Sequence, residues 1–237
     1  MMQTMRLFLI GLRQIRKDGM LAVLVPAPVF AGLLFKLAVP YVNAAFEANL
    51  RFSLRPWYGL VDGLLICLAP MMTAVVSAFV LLDEQDEGTG AYYRITPAGD
   101  YSYLAARIGL PMVWAFGITA AAAAVFNISG LSFAAIVTGS LISTFTGAAL
   151  AMMIATLAAN RVEGLAVSKF TGISFIGLVL VWFVPPPYVY CSAVLPSFWI
   201  GKIMIDGASP VLFAAGTLVC LAWTAFFTGK FRRRLGG

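Results

Sequence analysis

The chain has 237 residues, of which 61% are hydrophobic and only 11% charged, with a net charge of +6 and no histidine. Soluble domains carry about a quarter charged residues, so a chain this poor in charge cannot cover a water-facing surface and reads as an integral membrane protein. Without histidine there are no His metal ligands, general bases or proton relays, and Cys67, Cys191 and Cys220 share no metal-like spacing.

Residues 2–17 read as an amphipathic interfacial helix, with Met5, Phe8, Leu9, Leu12 and Ile15 on one stripe and Arg6, Arg13 and Lys17 on another. The plainer alternative is a basic extension of the first span. A cleavable signal peptide is not expected, because Arg13, Arg16 and Lys17 interrupt the apolar stretch. Six spans of about 20 residues follow, near 20–42, 57–82, 104–126, 132–158, 170–190 and 209–229. The whole chain reads as one transmembrane domain, all-α, with coupling loops near 83–103 and 159–169.

Between spans five and six, VPPPYVYCSAVLPSFW (184–199) opens on three prolines that end the fifth helix. The rest is too short to cross again and reads as a re-entrant or outer-interface element. Charge is asymmetric: only Arg51, Arg55 and Lys202 fall on one side, and Lys36 lies inside the first span. The remaining basic residues flank the other side. The positive-inside rule then places both termini in the cytoplasm, in a multi-pass protein of the cytoplasmic (inner) membrane. These cations orient spans in the lipid bilayer and do not indicate a nucleic-acid partner.

Chemistry-bearing motifs are mostly missing. There is no GxxxxGK[ST] phosphate loop, HExxH, paired CxxC or Ser/His pair. This excludes the usual ATP site and disfavours a membrane enzyme on lipid substrates; no metal or cofactor is expected on this chain. The informative segment is the polar island DEQDEGTGAYYRITPAGDYSYLAAR (83–107). Asp83, Glu84, Asp86 and Glu87 are followed by breaking glycines at 88 and 90, then by a turn at Thr96-Pro97. An acidic corner with tyrosines nearby suits a docking surface for a soluble partner, and a solvated loop is the bland alternative. In the fourth span, Gly139, Ser143, Gly147 and Ala151 recur every four residues, which predicts close helix packing.

Glu87-Gly88-Thr89, then Ile95-Thr96-Pro97 and Tyr103, resembles the E-x-G-T…TP…Y stretch after the second span of the ABC-2 transporter permeases. NRVEGLAVSK (160–169) and Pro196-Ser197-Phe198-Trp199 resemble the small permeases of that family for fluoroquinolone or drug export. The resemblance covers essentially the whole chain. It implies a permease subunit that pairs with a second permease chain, as homodimer or heterodimer, above two copies of a cytoplasmic ABC ATPase subunit that supply ATP and Mg. It also implies ATPase-coupling roles for Glu84, Asp86, Glu87, Gly88, Thr89, Tyr92, Arg94, Thr96 and Pro97, and for Arg161, Glu163 and Gly164 of the second loop. The acid run includes Asp83 and Glu84, which leaves open which acid faces the ATPase.

In that family the second and fifth spans line the transport path. Here they offer Met71, Met72, Thr73, Phe79, Phe175, Trp182 and Phe183, although such residues look the same facing lipid. Lys36 and Asp62 are the two charges well inside spans, and their similar depth predicts an intramembrane ion pair. The resulting expectation is a non-enzymatic exporter subunit moving an amphipathic or hydrophobic, drug-like compound. The alternative is an ATP-independent channel or membrane scaffold protein.

Overall fold

A computed structural model describes residues 18–88 and 99–236; the expected interfacial helix over 2–17 lies outside them. The described residues form helices and short connections and contain no strand. Six helical segments are long and apolar enough to cross a membrane.

The first span is interrupted. Helix α1 (Gly19–Leu24) stops at a turn over Val25 and Pro26, and α2 (Ala27–Leu50) follows. The helix continues past residue 42 through a stretch that looks polar in sequence, because those polar groups satisfy one another. Asn43 Nδ2 donates to Glu47 at 3.0 Å, one turn along, and Asn43 Oδ1 accepts the Leu54 N–H at 2.6 Å. Arg51, at φ 52°, ends it in the left-handed region.

A turn at Arg55–Trp57 leads into α3 (Tyr58–Asp86), the second span. Its 29 residues amount to about 43 Å of helix, longer than the hydrocarbon core of about 30 Å, so an end must project or tilt. It stops where the glycine was expected to stop it: the Glu87 N–H donates to Asp83 O, the Gly88 N–H to Gln85 O, and Gly88 has φ +72°.

The third span comprises α4 (Gly99–Leu104), one wide π turn at Ala105–Gly109, and α5 (Leu110–Phe126). Pro111 explains the wide turn. It brings no N–H to the carbonyl of Arg107 and its ring crowds that carbonyl, so the chain opens there, and the Leu110 N–H reaches back to Ala105 O instead.

Helix α6 (Phe133–Leu157), the fourth span, is capped by Ser132, whose Oγ accepts the Ala135 N–H at 3.2 Å. The fifth span runs through α7 (Arg161–Ser168), a 3-10 segment (Lys169–Phe175) and α8 (Ile176–Phe183). The prolines end it at Phe183, not near 190. Beyond them, a 3-10 turn (Tyr188–Val194) leads to α9 (Pro196–Asp206), and α10 (Pro210–Gly236) carries the sixth span. The stretch read as a short outer-interface element (184–199) therefore comprises the prolines, this 3-10 turn and the first residues of an 11-residue helix. Phe198, Ile200 and Ile203 of α9 are buried. Gly177 and Gly201 let α9 press on α8: a Cβ on Gly177 would lie 2.8 Å from the Phe198 nitrogen, and one on Gly201 3.1 Å from the Leu178 carbonyl.

The second and fourth spans form the centre, with 72% and 78% of their apolar windows buried, against 11% for the first and 17% for the sixth. Their contact follows the small-residue stripe. A Cβ on Gly147 would sit 2.8 Å from Pro70 O, so only glycine permits this approach. Pro70 itself brings no N–H to the carbonyl of Ile66, and Ser143 Oγ donates to that carbonyl at 2.9 Å. The serine of one span repairs the backbone defect of the other. Ser143→Ala should lower thermal stability in detergent by about 1 kcal/mol. In a Pro70→Ala background, where residue 70 regains its N–H, the same change should cost close to nothing, and a double-mutant cycle by thermal unfolding reads the difference.

Candidate functional site

The polar residues gather at the end of the bundle where α3 emerges. The projecting turn of α3 leaves Asp86, Glu87 and Gly88 exposed. Beside it, α7 begins at a reciprocal cap: the Glu163 N–H donates to Asn160 Oδ1 at 2.9 Å, and Glu163 Oε2 accepts the Ala159 N–H at 2.7 Å. Gly164 presses on α3 so closely that a Cβ there would lie 2.5 Å from Leu82 Cδ1 and 3.3 Å from Phe79 Cε1.

Arg161 ties this corner together. Its guanidinium donates to Asp83 Oδ2 at 3.0 Å and to the carboxylate of Asp18, and lies 5.7 Å from the centre of the Phe79 ring. Its backbone N–H donates to Asp86 Oδ2 at 3.3 Å. One arginine therefore joins the segment before the first span, the end of the second span and the start of the fifth. Both predicted coupling loops meet here, at the places the structure describes. Thr89, Tyr92, Arg94, Thr96 and Pro97 lie outside the described residues.

The acids of the island do not share one role. Glu84, expected at the docking surface, is fully buried. It accepts from Arg107 Nε at 2.9 Å, from Arg107 Nη2, and from the Tyr103 hydroxyl at 2.8 Å. Arg107 is 2% exposed. Glu84 thus locks the third span to the second and offers nothing to solvent. It lies seven and four residues beyond Ser77 and Val80, both buried, and continues their stripe, whereas Asp86 turns away from it and Glu87, although in phase, lies past the helix end at Asp86. Among the described residues, no group of three or more His, Cys, Asp or Glu side chains is placed to hold a metal ion.

Lys36 and Asp62 are not partners. No ion pair joins them; each instead holds the connection between the third and fourth spans. Lys36 Nζ donates to the carbonyl of Val125, in the last turn of α5, where helix carbonyls lack partners. Asp62 accepts the N–H groups of Ile128 at 3.0 Å and Ser129 at 2.8 Å, together with the Ser129 hydroxyl. The shared depth was legible, but the true partners are backbone groups that only the folded turn presents.

The residues expected along a path are dispersed. Phe79 is buried beneath Arg161, as part of the helix packing. Met71 and Phe175 line a small space between the second, fourth and fifth spans. Trp182 faces Gly59 near the other end, Met72 is half-buried and Phe183 is 60% exposed. Thr73 alone of the set lines a cavity of about 280 Å³ between the first three spans. Sequence reasoning missed that cavity, because it depends on the break at Pro26 and on the wide turn before Pro111.

Residues 11–228 match the family described as Rv2686c-like, fluoroquinolones export permease protein. Two curated relatives, the fluoroquinolones export permease proteins MT2760 and Rv2686c from two strains of Mycobacterium tuberculosis (CDC 1551 / Oshkosh and ATCC 25618 / H37Rv), are each 27% identical over 192 residues. The match covers 78% of this chain and 75% of each relative.

Glu84 and Glu87 should separate cleanly by mutation. Glu84→Ala removes a buried carboxylate from its ion pair with Arg107 and should cost about 3–5 kcal/mol, whereas Glu87→Ala, at an exposed position, should stay within about 0.5 kcal/mol. Thermal unfolding of the detergent-solubilised protein measures both.

Proposed function

Since this chain belongs to the Rv2686c-like family of fluoroquinolone export permeases, we propose that it is the membrane subunit of an ABC-2 type exporter driven by a separate ATPase. One observation carries this reading. The ends of the two polar connections meet at a single corner, where Arg161 of the second bonds Asp83 and Asp86 of the first. A pump with no phosphate loop of its own must receive work from another protein, and a corner joining the ends of the second and fifth spans can pass a push at the surface to both.

In this reading the corner faces the cytoplasm, with both termini, and the membrane is the cytoplasmic one. The exposed Asp86, Glu87 and Gly88, together with the start of α7, are the coupling elements. Two ATPase copies dock there and hold the ATP and Mg. A second permease chain, identical or similar, pairs through the membrane, and lipid covers the remaining apolar faces, such as the exposed side of α2 with Phe30, Leu34 and Leu37. The stretch before α9 lies at the outer interface. Closure of the ATPase pair shifts the population between inward-open and outward-open arrangements. The cargo is an amphipathic, drug-like compound of the kind that names the relatives.

The test is affinity purification of the tagged chain from detergent-solubilised membranes, with mass spectrometry of what accompanies it. A stoichiometric P-loop ATPase should co-purify. Glu87→Lys should leave membrane insertion intact and reduce that ATPase by about tenfold or more, since a charge is reversed at the contact. A clean preparation without any ATPase would overturn this reading and favour the ATP-independent one, whereas an undiminished ATPase with the reversed charge would overturn only the docking role of Glu87.

A further inference from the structure

The cavity between the first three spans is shaped by breaks in two of them. The first span is pinned to its neighbours at Gly32, where a Cβ would lie 2.6 Å from Phe126 Cδ2 and 3.2 Å from Leu65 Cδ1. One turn earlier Pro28 lines the space, together with Leu24 and Val25 at the interruption between α1 and α2. Across from them stand the wide turn at Ala105–Gly109 and Pro111 of the third span. Val25 and Trp114, 41% and 64% exposed, form the rim. Trp114 lies midway along the third membrane-crossing segment, Ser102–Phe126, so the opening is on the flank of the bundle, at the depth of the hydrocarbon. From there the space runs toward Val80 and Arg107, on the side of the Arg161 corner.

What fills it follows by elimination. Left empty, about 280 Å³ of space would deprive its walls of contacts on one side, which a close-packed protein avoids. Water is a poor filler, because a buried water needs about two to four polar partners, and these walls have few to give. Ser77 lines the space, but its hydroxyl has essentially no exposed surface. Arg107 is 2% exposed and its guanidinium is turned to Glu84. Thr73 is the remaining polar side chain in a wall otherwise made of aliphatic groups, prolines and Trp114. Such a wall accepts hydrocarbon, and hydrocarbon stands at its rim. Broken helices inside a membrane occur where they line a cavity or a binding site.

We propose that this cavity is a lipid site: it takes an acyl chain of a phospholipid from the leaflet nearest the Arg161 corner. The chain lies between the first and third spans and completes the packing that the break at Pro26 leaves open. The walls hold the tail and make no demand on the headgroup, since the one charged residue among them, Arg107, is neutralised by Glu84. The assignment is independent of the exporter reading above.

The test uses the full chain, purified in mild detergent as wild type, Thr73→Phe, Ile118→Phe and Leu37→Phe. Each is supplied with palmitoyl-oleoyl phosphatidylcholine or with the phosphatidylglycerol of the same chains. Native mass spectrometry reads the lipid retained after washing, and thermal unfolding reads its effect. The wild type should retain a phospholipid of either headgroup and melt at a higher temperature when lipid is added, because a ligand that binds only the folded chain stabilises it. Thr73→Phe and Ile118→Phe fill the space from different walls, so each should lower retention by about tenfold or more and blunt the thermal response. Either variant alone suffices if the other fails to fold. Leu37→Phe, on the exposed side of α2, should behave as the wild type. Retention unchanged in the filling variants overturns the proposal, and so does an equal loss in Leu37→Phe. Retention confined to phosphatidylglycerol also overturns it, by placing the binding in the headgroup. A wild type that holds no lipid and does not respond to it overturns it as well, and leaves the space to a second copy of the chain or to residues 2–17.

Discussion

The contact of Pro70 with Ser143 and Gly147 is the constraint around which the other helices arrange themselves. A proline deep inside an apolar helix frees a carbonyl with no water to meet it, and in lipid such a group is expensive. The Ser143 hydroxyl meets it, but only if the two backbones come close, which Gly147 allows. The second and fourth spans are thereby fixed as a central pair. The other spans attach to that pair, by α9 on α8 at one end and by Arg161 and Glu84 at the other.

Charge follows the same logic. Every charged group drawn into the apolar body with a described partner is answered locally. Arg107 has Glu84 and Tyr103, Asp62 has the N–H groups of the 127–132 turn, and Lys36 has a helix-end carbonyl. Two of these three answers involve backbone, which explains why they brace turns and helix ends. Of the two exposed acids, Asp86 accepts the Arg161 N–H and Glu87 stands apart from this bracing. The fold thus sorts four acids that look alike in sequence into one that is buried (Glu84), two bonded by Arg161 (Asp83 and the exposed Asp86), and one at the surface (Glu87).

The parts legible in the sequence were those written in hydropathy and local spacing. The six apolar stretches, the stripe at 139, 143, 147 and 151, and the helix stop at Gly88 all follow from rules that act over a few residues. What escaped depends on tertiary placement. Arg161 lies far along the chain from Asp18, yet bonds it. Lys36 and Asp62 share a depth, but depth alone does not choose between each other and a loop. The run at 184–199 reads as too short to cross again, and its local pattern does not show that α9 begins inside it and ends beyond it. The burial of Glu84 depends on where the third span packs Arg107 and Tyr103 against it, and helix phase does not tell it from Glu87.

The pairing of Arg107 with Glu84 also bears on how the chain is made. An arginine in a span that enters the bilayer alone is penalised, by about 2.5–3.5 kcal/mol at the centre of a helix and less toward its end. Here the ribosome releases Glu84 some twenty residues ahead of Arg107, at the end of the preceding span. The carboxylate therefore exists in the chain before the arginine it answers, and pairing of the two spans as a hairpin would spare the third that cost. Biogenesis by hairpins, with one helix chaperoning the next, is written into the order of these two residues.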